Sequence, residues 1–357
     1  MFNESNDKER LSKMEQNNSR QKILTNVEPF SDVFYYTCFF NSLFPAILSL
    51  GRSIIPILLN CIAKYEIEWD TEGPCLYIKP EYIKSLATVL NELGIYSDYQ
   101  EKSTDIIKDI IDSLNQERPV IVWIDCFYDS MRRDLYQKEH WQHSLLFYGY
   151  DQSQEVFHII EHNKRDDLLY SKKTIPFQDV IHGYRGYLEN FYVEDRANDI
   201  ISFTNYYVKN DLEKPPPQFQ NSHYQAQFIH SFGARKTEML SSLNTLHEGI
   251  RLIHDFICDE MILKQNCSRL VTGVNDIVND KTAERYLISC IFDADSREIA
   301  LTDRIIDKWK YVRALMAKYL YSGIYKPKSL LQIDDYLQEI NQLENEFYQI
   351  LMKSNPE

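Results

Sequence analysis

The apolar run from Leu43 to Leu50 constrains the fold more than any other segment of the chain. It is long enough for two turns of helix and has almost no polar face, so other elements must enclose it on all sides. Pro45 would fall near the first turn, where a proline removes no helical hydrogen bond. The sequence therefore predicts a central buried helix with the rest of a domain built around it.

Strand-like runs come later in the chain than this helix. Apolar segments at Val120–Ile124, His143–Tyr150 and Val156–Glu161 predict strands, and Gly186–Val193 predicts one more. Between the central helix and these runs, residues 79–93 predict a helix that opens at Lys79-Pro80 and stops before Gly94. Helices followed by an antiparallel sheet predict an α+β domain.

Three consecutive prolines, Pro215 to Pro217, mark the clearest break in the chain. They predict a stiff linker at 211–223, after an α+β domain at 21–210. From residue 224 to 357 helical periodicity dominates, which predicts an all-helical domain of four or five helices. The polar residues 1–20 are expected to be disordered.

The net charge of −14 argues against a nucleic-acid partner, because phosphate binding needs Lys and Arg in excess. An acidic surface suits cationic small molecules or simply solubility. The N-terminus is too polar for a signal peptide, and the longest apolar stretch, 42–63, is interrupted by Gly51-Arg52-Ser53 and Pro56, so no membrane span is predicted. We expect a cytoplasmic protein.

The seven cysteines are odd in number and scattered, which predicts neither a disulfide framework nor a zinc site. Four of them lie in apolar surroundings and are expected to be buried, unreactive thiols: Cys61, Cys126, Cys258 and Cys290. The histidine pairs His140/His143 and His158/His162 lack an evident third ligand, so no metal site is expected.

Cys38 and His143 are the residues from which we predict chemistry. Cys38 opens the central helix and His143 opens a strand about a hundred residues later. Helix N-terminal amides and an imidazole both stabilise a thiolate, and a third group must orient the imidazole. Glu161, at the end of the returning strand, and Asn163, two residues on, can both accept from the ring. Glu161 is favoured because its charge would stabilise an imidazolium.

A plainer interpretation stands beside this one. A cysteine on an aromatic helix, or a histidine before an apolar strand, is taken alone more often a core residue; their joint order favours catalysis. The aromatic residues Tyr36, Phe39, Trp141 and Tyr148 could wall the site or belong to the core. Asp125 and Asp129, after the Trp123 strand, could attract a cationic amine.

The residues from about 36 to 191 resemble the butirosin-biosynthesis-H type of cysteine acyltransferase, in the papain-like superfamily. The resemblance lies in Cys38 with its aromatic helix, the segment His143–Asp151, and the strand that ends at Glu161. It implies a papain-like cysteine protease fold and acyl transfer from a thioester, through an acyl-Cys38 enzyme, onto an amine. The region beyond the linker is similar to that group's C-terminal extension.

Two departures from the family concern the chemistry. The family usually has Asp where this chain has Glu161, and Asp32 and Val33 stand where a papain-type oxyanion Gln would precede the nucleophile. The backbone N–H groups of Cys38 and Phe39, helped by Asn41, could bind the oxyanion instead.

The resemblance also implies the partners. The acyl group would arrive on the phosphopantetheine of an acyl or peptidyl carrier protein in specialised-metabolite (antibiotic or peptide) biosynthesis, with no cofactor bound by the enzyme itself. Basic pairs at Arg132-Arg133 with Lys138, or Lys164-Arg165 with Lys172-Lys173, could dock an acidic carrier. The aromatic helical domain could form a homodimer. Two alternatives stay open: a peptidase or thioesterase with the same triad, and a non-catalytic binding or scaffold protein.

Overall fold

The structure, a computed structural model, describes residues 20–70, 73–164, 168–192, 202–208 and 220–353. The disorder expected for residues 1–20 falls outside the described residues except at residue 20. Of the linker expected at 211–223, residues 211–219 fall outside them, and residues 221–223 begin a helix. In chain order the elements are β1 Gln21–Ile23, α1 Cys38–Ser49, α2 Ile55–Leu59, β2 Cys61–Asp70, β3 Gly73–Tyr82, α3 Leu86–Glu92, β4 Ile95–Gln100, α4 Ile106–Asn115, β5 Val120–Asp125, β6 Gln142–Asp151, β7 Val156–Glu161, β8 Ser171–Pro176, α5 Phe177–Asn190, β9 Phe203–Val208, α6 Asn221–Ala234, α7 Lys236–Cys258, α8 Glu260–Ile291, α9 Arg297–Ser322 and α10 Pro327–Lys353.

The chain divides into two compact units. The first comprises residues up to Ile54 together with Leu90–Pro216, and the second comprises Ile55–Val89 together with Pro217 onward. Residues 55–89, which the sequence analysis placed in the α+β domain, thus group with the C-terminal helices. No helix among the described residues is both long and apolar enough to cross a membrane.

The first unit is built on an antiparallel sheet of seven strands in the order β4-β9-β5-β6-β7-β8, with β1 added to the end of β6. Helix α1 packs on β6. Its residues Leu43, Phe44, Ala46 and Ile47 are fully buried, so the predicted central helix on an antiparallel sheet is confirmed. The prediction that Pro45 lies near the first turn was wrong, because the helix begins at Cys38 and Pro45 lies in its interior.

Two other predictions in this region were wrong. The strand predicted at 186–193 is wrong over its described residues, because 186–190 belong to α5; Val193 lies outside the described residues. Gly186 marks a close approach: a Cβ there would lie 2.4 Å from the Tyr128 ring. Residues 79–82 are the end of β3 rather than the start of a helix, and the helix that follows, α3, begins only at Leu86. Gly94, at φ +70°, follows α3 as expected.

The second unit combines helices α6 to α10 with a hairpin that the sequence analysis missed. Strands β2 and β3 pair antiparallel, and the backbone N–H of Tyr65 donates to Ser242 Oγ on α7 (2.8 Å). The core of this unit contains Leu246, Trp309 and Phe347, none of them exposed. The predicted helical region is confirmed, and the hairpin packs against its helices.

None of the described cysteines forms a disulfide. Cys126 is buried, as predicted, and burial raises its pKa well above the ordinary value. Cys61 and Cys290 are only half-buried and Cys258 is exposed, so the prediction that these three are buried was wrong. Cys258 is the last residue of α7, where the helix ends toward solvent.

Candidate active site

A tight turn delivers Cys38 to the first position of α1. Tyr36 has a left-handed φ of +55°, which costs free energy for a bulky side chain, and the Thr37 N–H donates to the Tyr35 carbonyl (2.6 Å). Thr37 occupies the N-cap position in an extended conformation, and its side chain makes no capping hydrogen bond. Cys38 stays partly exposed. The turn therefore places the thiol beside the free amide groups of a helix N-terminus.

His143 reaches Cys38 because α1 crosses β6. Ser42, one turn after Cys38, donates its hydroxyl to the Ser144 carbonyl (3.0 Å), which fixes the helix against the strand. The His143 ring, only 2 % exposed, hydrogen-bonds the Cys38 thiol. Its Nε2 faces Glu161, so Nδ1 is the ring nitrogen left for the sulfur. The two residues singled out from the sequence are thus in contact.

The electrostatics of this pair favour a thiolate beside an imidazolium. Burial raises the pKa of Cys38, but the charge of His143, its hydrogen bond, and hydrogen bonds from Ser144 outweigh burial and leave the pKa below its ordinary value. Burial lowers the pKa of His143, whereas the charges of Glu161 and Cys38 raise it to about 10. Both shifts favour the ion pair of a Cys38 thiolate and a His143 imidazolium.

Glu161 is the carboxylate that faces the ring. Its Oε2 lies 3.1 Å from His143 Nε2, and the residue is fully buried. Burial raises the pKa of Glu161, but the His143 charge and hydrogen bond, followed by His162 and Arg132, hold it below its usual range.

Asn163, the other orienter considered, takes a different partner. If the pairing of Leu146 with Ile160 continued, Asn163 would lie opposite His143. The strand ends at Glu161, however, and Asn163 Oδ1 instead accepts from Lys173 Nζ (2.9 Å). The geometry therefore favours Glu161.

A buried arginine supports Glu161 from the side opposite His143. Arg132 is 1 % exposed; its Nη1 lies 3.7 Å from Glu161 Oε1 and 2.9 Å from His162 Nε2. Asp134 accepts from its Nε and Nη2, both at 3.1 Å. Arg132 cannot dock a carrier, so that part of the sequence-based interpretation was wrong. It neutralises the buried carboxylate instead.

His162 completes the surroundings of the ring. Its own ring stacks on His143 at 5.1 Å and on Tyr170 at 4.7 Å between centroids, and its backbone N–H donates to Glu161 Oε1 (2.6 Å). The ligand atoms of His143, Glu161 and His162 lie within 4.8 Å of one another. Because the Arg132 guanidinium already lies against two of them, a metal cation would meet a like charge there.

The remaining predicted site residues divide between the site and the scaffold. Phe39 stacks parallel to Trp123 (6.4 Å, 4°), and Trp141, 39 % exposed, directly precedes the His143 strand. Tyr148 contacts His158 and Lys172 rather than the thiol. Asn41 donates to the Val33 carbonyl (3.2 Å) and its unpartnered atom is the acceptor Oδ1, so it anchors α1 and does not fit as an oxyanion donor.

Asp125 and Asp129 are both fully buried, so neither offers an open carboxylate to an amine. Asp125 accepts from the backbone N–H groups of Phe127 and Trp141 and pairs with His140 Nδ1 (2.6 Å). Burial and the charge of Glu161 raise the pKa of Asp129 to about 7. Both carboxylates belong to the framework behind the site, and the expectation that they attract a cation was wrong.

Ser144 is a site residue that the sequence analysis did not single out. Its backbone N–H and its hydroxyl both hydrogen-bond the Cys38 sulfur and lower the pKa of the thiol. The signal lay in its position: Ser144 directly follows His143, and a small hydroxyl residue in an otherwise apolar, buried strand needs a polar partner.

Replacing Ser144 with Ala is expected to raise the pKa of Cys38 while leaving the backbone N–H bond in place. We expect the rate of alkylation of Cys38 at neutral pH to fall by roughly threefold to tenfold, the effect of one hydrogen bond to a charged group. Ser49→Ala is the matched control, since Ser49 lies on the same helix as Cys38 and its hydroxyl donates to the Ala46 carbonyl. Equal rates in wild type and Ser144→Ala would show that the hydroxyl does not act on the thiolate.

Comparison with known protein families gives a match over part of the chain. The model of a family described as butirosin biosynthesis protein H, N-terminal, matches residues 67–162, a minority of the chain that includes His143 and Glu161 but not Cys38. No curated protein matches the chain significantly. The match suggests an acyltransferase-type domain of biosynthesis, and over residues 67–162 it confirms the resemblance to the butirosin-biosynthesis-H family that was drawn from the sequence.

Proposed function

We propose that this protein is a cysteine acyltransferase that moves an acyl group from a carrier-bound thioester, through Cys38, to an amine. The observation that carries the proposal is the chain of contacts from Cys38 to His143 to Glu161, with the thiol pKa lowered and the imidazole pKa raised. Cys38 is the nucleophile, His143 the general base and acid, and Glu161 the orienting carboxylate. The family match supports the choice of acyl transfer.

In the first half-reaction the Cys38 thiolate attacks the thioester carbonyl, forming a new C–S bond. The oxyanion that develops lies near the helix N-terminus, where the N–H groups of Cys38 and Phe39 have no intrahelical acceptor. Collapse breaks the C–S bond to the phosphopantetheine, and His143 returns its proton to the departing thiolate. The acyl group is now a thioester of Cys38.

In the second half-reaction the amine attacks the acyl-enzyme and His143 takes the proton of the attacking nitrogen. Collapse releases the amide and returns the Cys38 thiolate. A thioester is already activated, so we propose that neither a nucleotide nor a bound cofactor is required. The carrier is an acyl or peptidyl carrier protein, and a reducing cytoplasm would keep the thiol free.

The experiment that tests this proposal is mass spectrometry of the protein incubated with an acylated carrier protein. We expect the wild type to gain the mass of one acyl group and Cys38→Ala to gain none. Adding a panel of primary amines should discharge the adduct and yield the amide. Water attacks the same intermediate in a thioesterase, so hydrolysis at a rate that no amine changes would favour that alternative.

The non-catalytic alternative predicts a different result. If the domain only binds a partner, Cys38→Ala should bind the carrier as well as wild type does, and neither protein should gain an acyl group. An acyl adduct that persists in Cys38→Ala would contradict the assignment of the nucleophile, whatever the overall activity. Lys108→Ala, a change at the exposed surface of the same unit and outside both proposed docking patches, is the control for acylation.

A further inference from the structure

A second cysteine, histidine and carboxylate lie together at the end of α7, in the second unit. His254 and Cys258 are four residues apart on this helix, with His254 Nε2 3.8 Å from Cys258 Sγ. Asp334, near the start of α10, pairs with the other ring nitrogen, Nδ1, at 3.1 Å. A thiol within reach of an imidazole that a carboxylate orients is the arrangement of an activated nucleophile.

The tautomer follows from these contacts. Because Asp334 accepts from Nδ1–H, the lone pair of the neutral ring is on Nε2, where it faces the thiol and can accept its proton. Tyr325 donates to the Ile257 carbonyl (2.9 Å) and so holds the helix end in place.

The surroundings indicate what kind of reagent could reach this thiol. Cys258 is exposed on the surface of the unit, and His254 is 44 % exposed. Carboxylates outnumber cations around this helix end: Asp255 is on the same helix, Asp259 and Glu260 lie just beyond it and Asp334 lies across from it, while Arg251 lies one turn before His254. These carboxylates repel an anionic reagent and attract a cationic one.

We propose that Cys258 is a modification site that undergoes thiol–disulfide exchange with small cationic disulfides. His254 takes the proton of Cys258, and the thiolate attacks one sulfur of the disulfide. A new S–S bond forms to Cys258 as the S–S bond of the reagent breaks, and the leaving thiolate receives the proton from His254. The protein thiol is oxidised and one half of the reagent is released as a thiol.

The test uses the full chain carrying Cys38→Ala, so that the candidate active site does not react. The probe is cystamine, a disulfide with two ammonium groups, and labelling is followed by mass spectrometry of peptides. We expect Cys258 to be labelled faster than Cys61 and Cys290, which are half-buried. Glutathione disulfide, which is anionic, should label Cys258 more slowly than cystamine.

His254→Gln should slow labelling of Cys258 by about tenfold or more, because the base is lost while the side chain stays polar. Asp334 is a positioning residue, so Asp334→Asn should slow labelling and Asp334→Glu should restore most of the rate. His247→Gln, on the same helix, is the control. Unchanged labelling in His254→Gln, with the same helical circular dichroism as the parent, would overturn the proposal, as would equal labelling of the three cysteines.

Discussion

Replacing His143 with Ala is expected to slow alkylation of Cys38 at neutral pH by a factor of about 100 or more. The charge and hydrogen bond of His143 are what hold the pKa of Cys38 down; once they are removed, burial, which raises the pKa, is opposed only by the Ser144 hydrogen bonds. The measurement is the rate of iodoacetamide labelling of Cys38 against pH. The midpoint, below the usual 9.0 in the wild type, should move to higher pH in the variant.

A neighbouring histidine provides the matched control. His158 lies on β7, next to β6, and contacts Tyr148 and not the thiol, so His158→Ala should leave the labelling curve where it is. If Cys38 were labelled at the wild-type rate in both His143→Ala and His158→Ala, His143 would not lower the pKa of the thiol. The proposed acyltransferase mechanism would then lose its basis.

Glu161→Gln should change the alkaline side of the pH profile of acyl transfer. Its carboxylate is the largest of the influences that raise the pKa of His143 to about 10, so the imidazolium of the variant loses its proton at lower pH. The ion pair exists between the lowered pKa of Cys38 and the raised pKa of His143. We therefore expect acyl transfer by Glu161→Gln to decline at a lower alkaline pH than acyl transfer by the wild type.

The sequence predicted the contact between Cys38 and His143 better than it predicted the groups that surround them. Cys38 and His143 were identifiable because each opens an element of clear periodicity. Glu161 and Asn163 could not be separated, because the choice depends on where β7 ends, and strand ends are set by the tertiary partners of the last residues. Arg132 looked like a surface cation because nothing local shows that a guanidinium is enclosed by His162, Glu161 and Asp134.

The errors in the fold have similar physical causes. Residues 186–193 are aromatic with glycine, a pattern that suits a strand, but Gly183 and Gly186 are small so that α5 can approach Ile124 and Tyr128. The β2–β3 hairpin was missed because Pro80 and the charged residues around it indicate a helix start. In the structure Pro80 pairs with Ala63 in a two-stranded sheet, where a missing N–H is tolerated on the outer edge.

The second large effect is expected in the helical unit, at a buried ion cluster around Lys281. The ammonium, 2 % exposed, contacts both oxygens of Glu344 (2.8 and 3.0 Å) and Glu284 Oε2 (3.0 Å). The Tyr65 hydroxyl, from the hairpin, donates to Glu344 Oε1 (2.6 Å). One ammonium group therefore compensates the negative charges of two carboxylates. The pKa shifts agree: burial lowers the pKa of Lys281, but the two carboxylates raise it well above normal, whereas burial raises the pKa of Glu344 despite Lys281.

Lys281→Met should consequently destabilise the second unit by about 3–5 kcal/mol, because it leaves two carboxylates facing each other without a cation. Glu344→Gln should cost much less, since the amide keeps a hydrogen bond to Tyr65 and Lys281 keeps Glu284. The double variant Lys281→Met/Glu344→Gln should recover part of the loss, because Glu284 is 15 % exposed and can reach water. Hydrogen exchange in peptides from α7 to α10 measures the free energy of opening of this unit separately from the first. A cost for Glu344→Gln equal to that of Lys281→Met would show that the two carboxylates do not share the lysine as described.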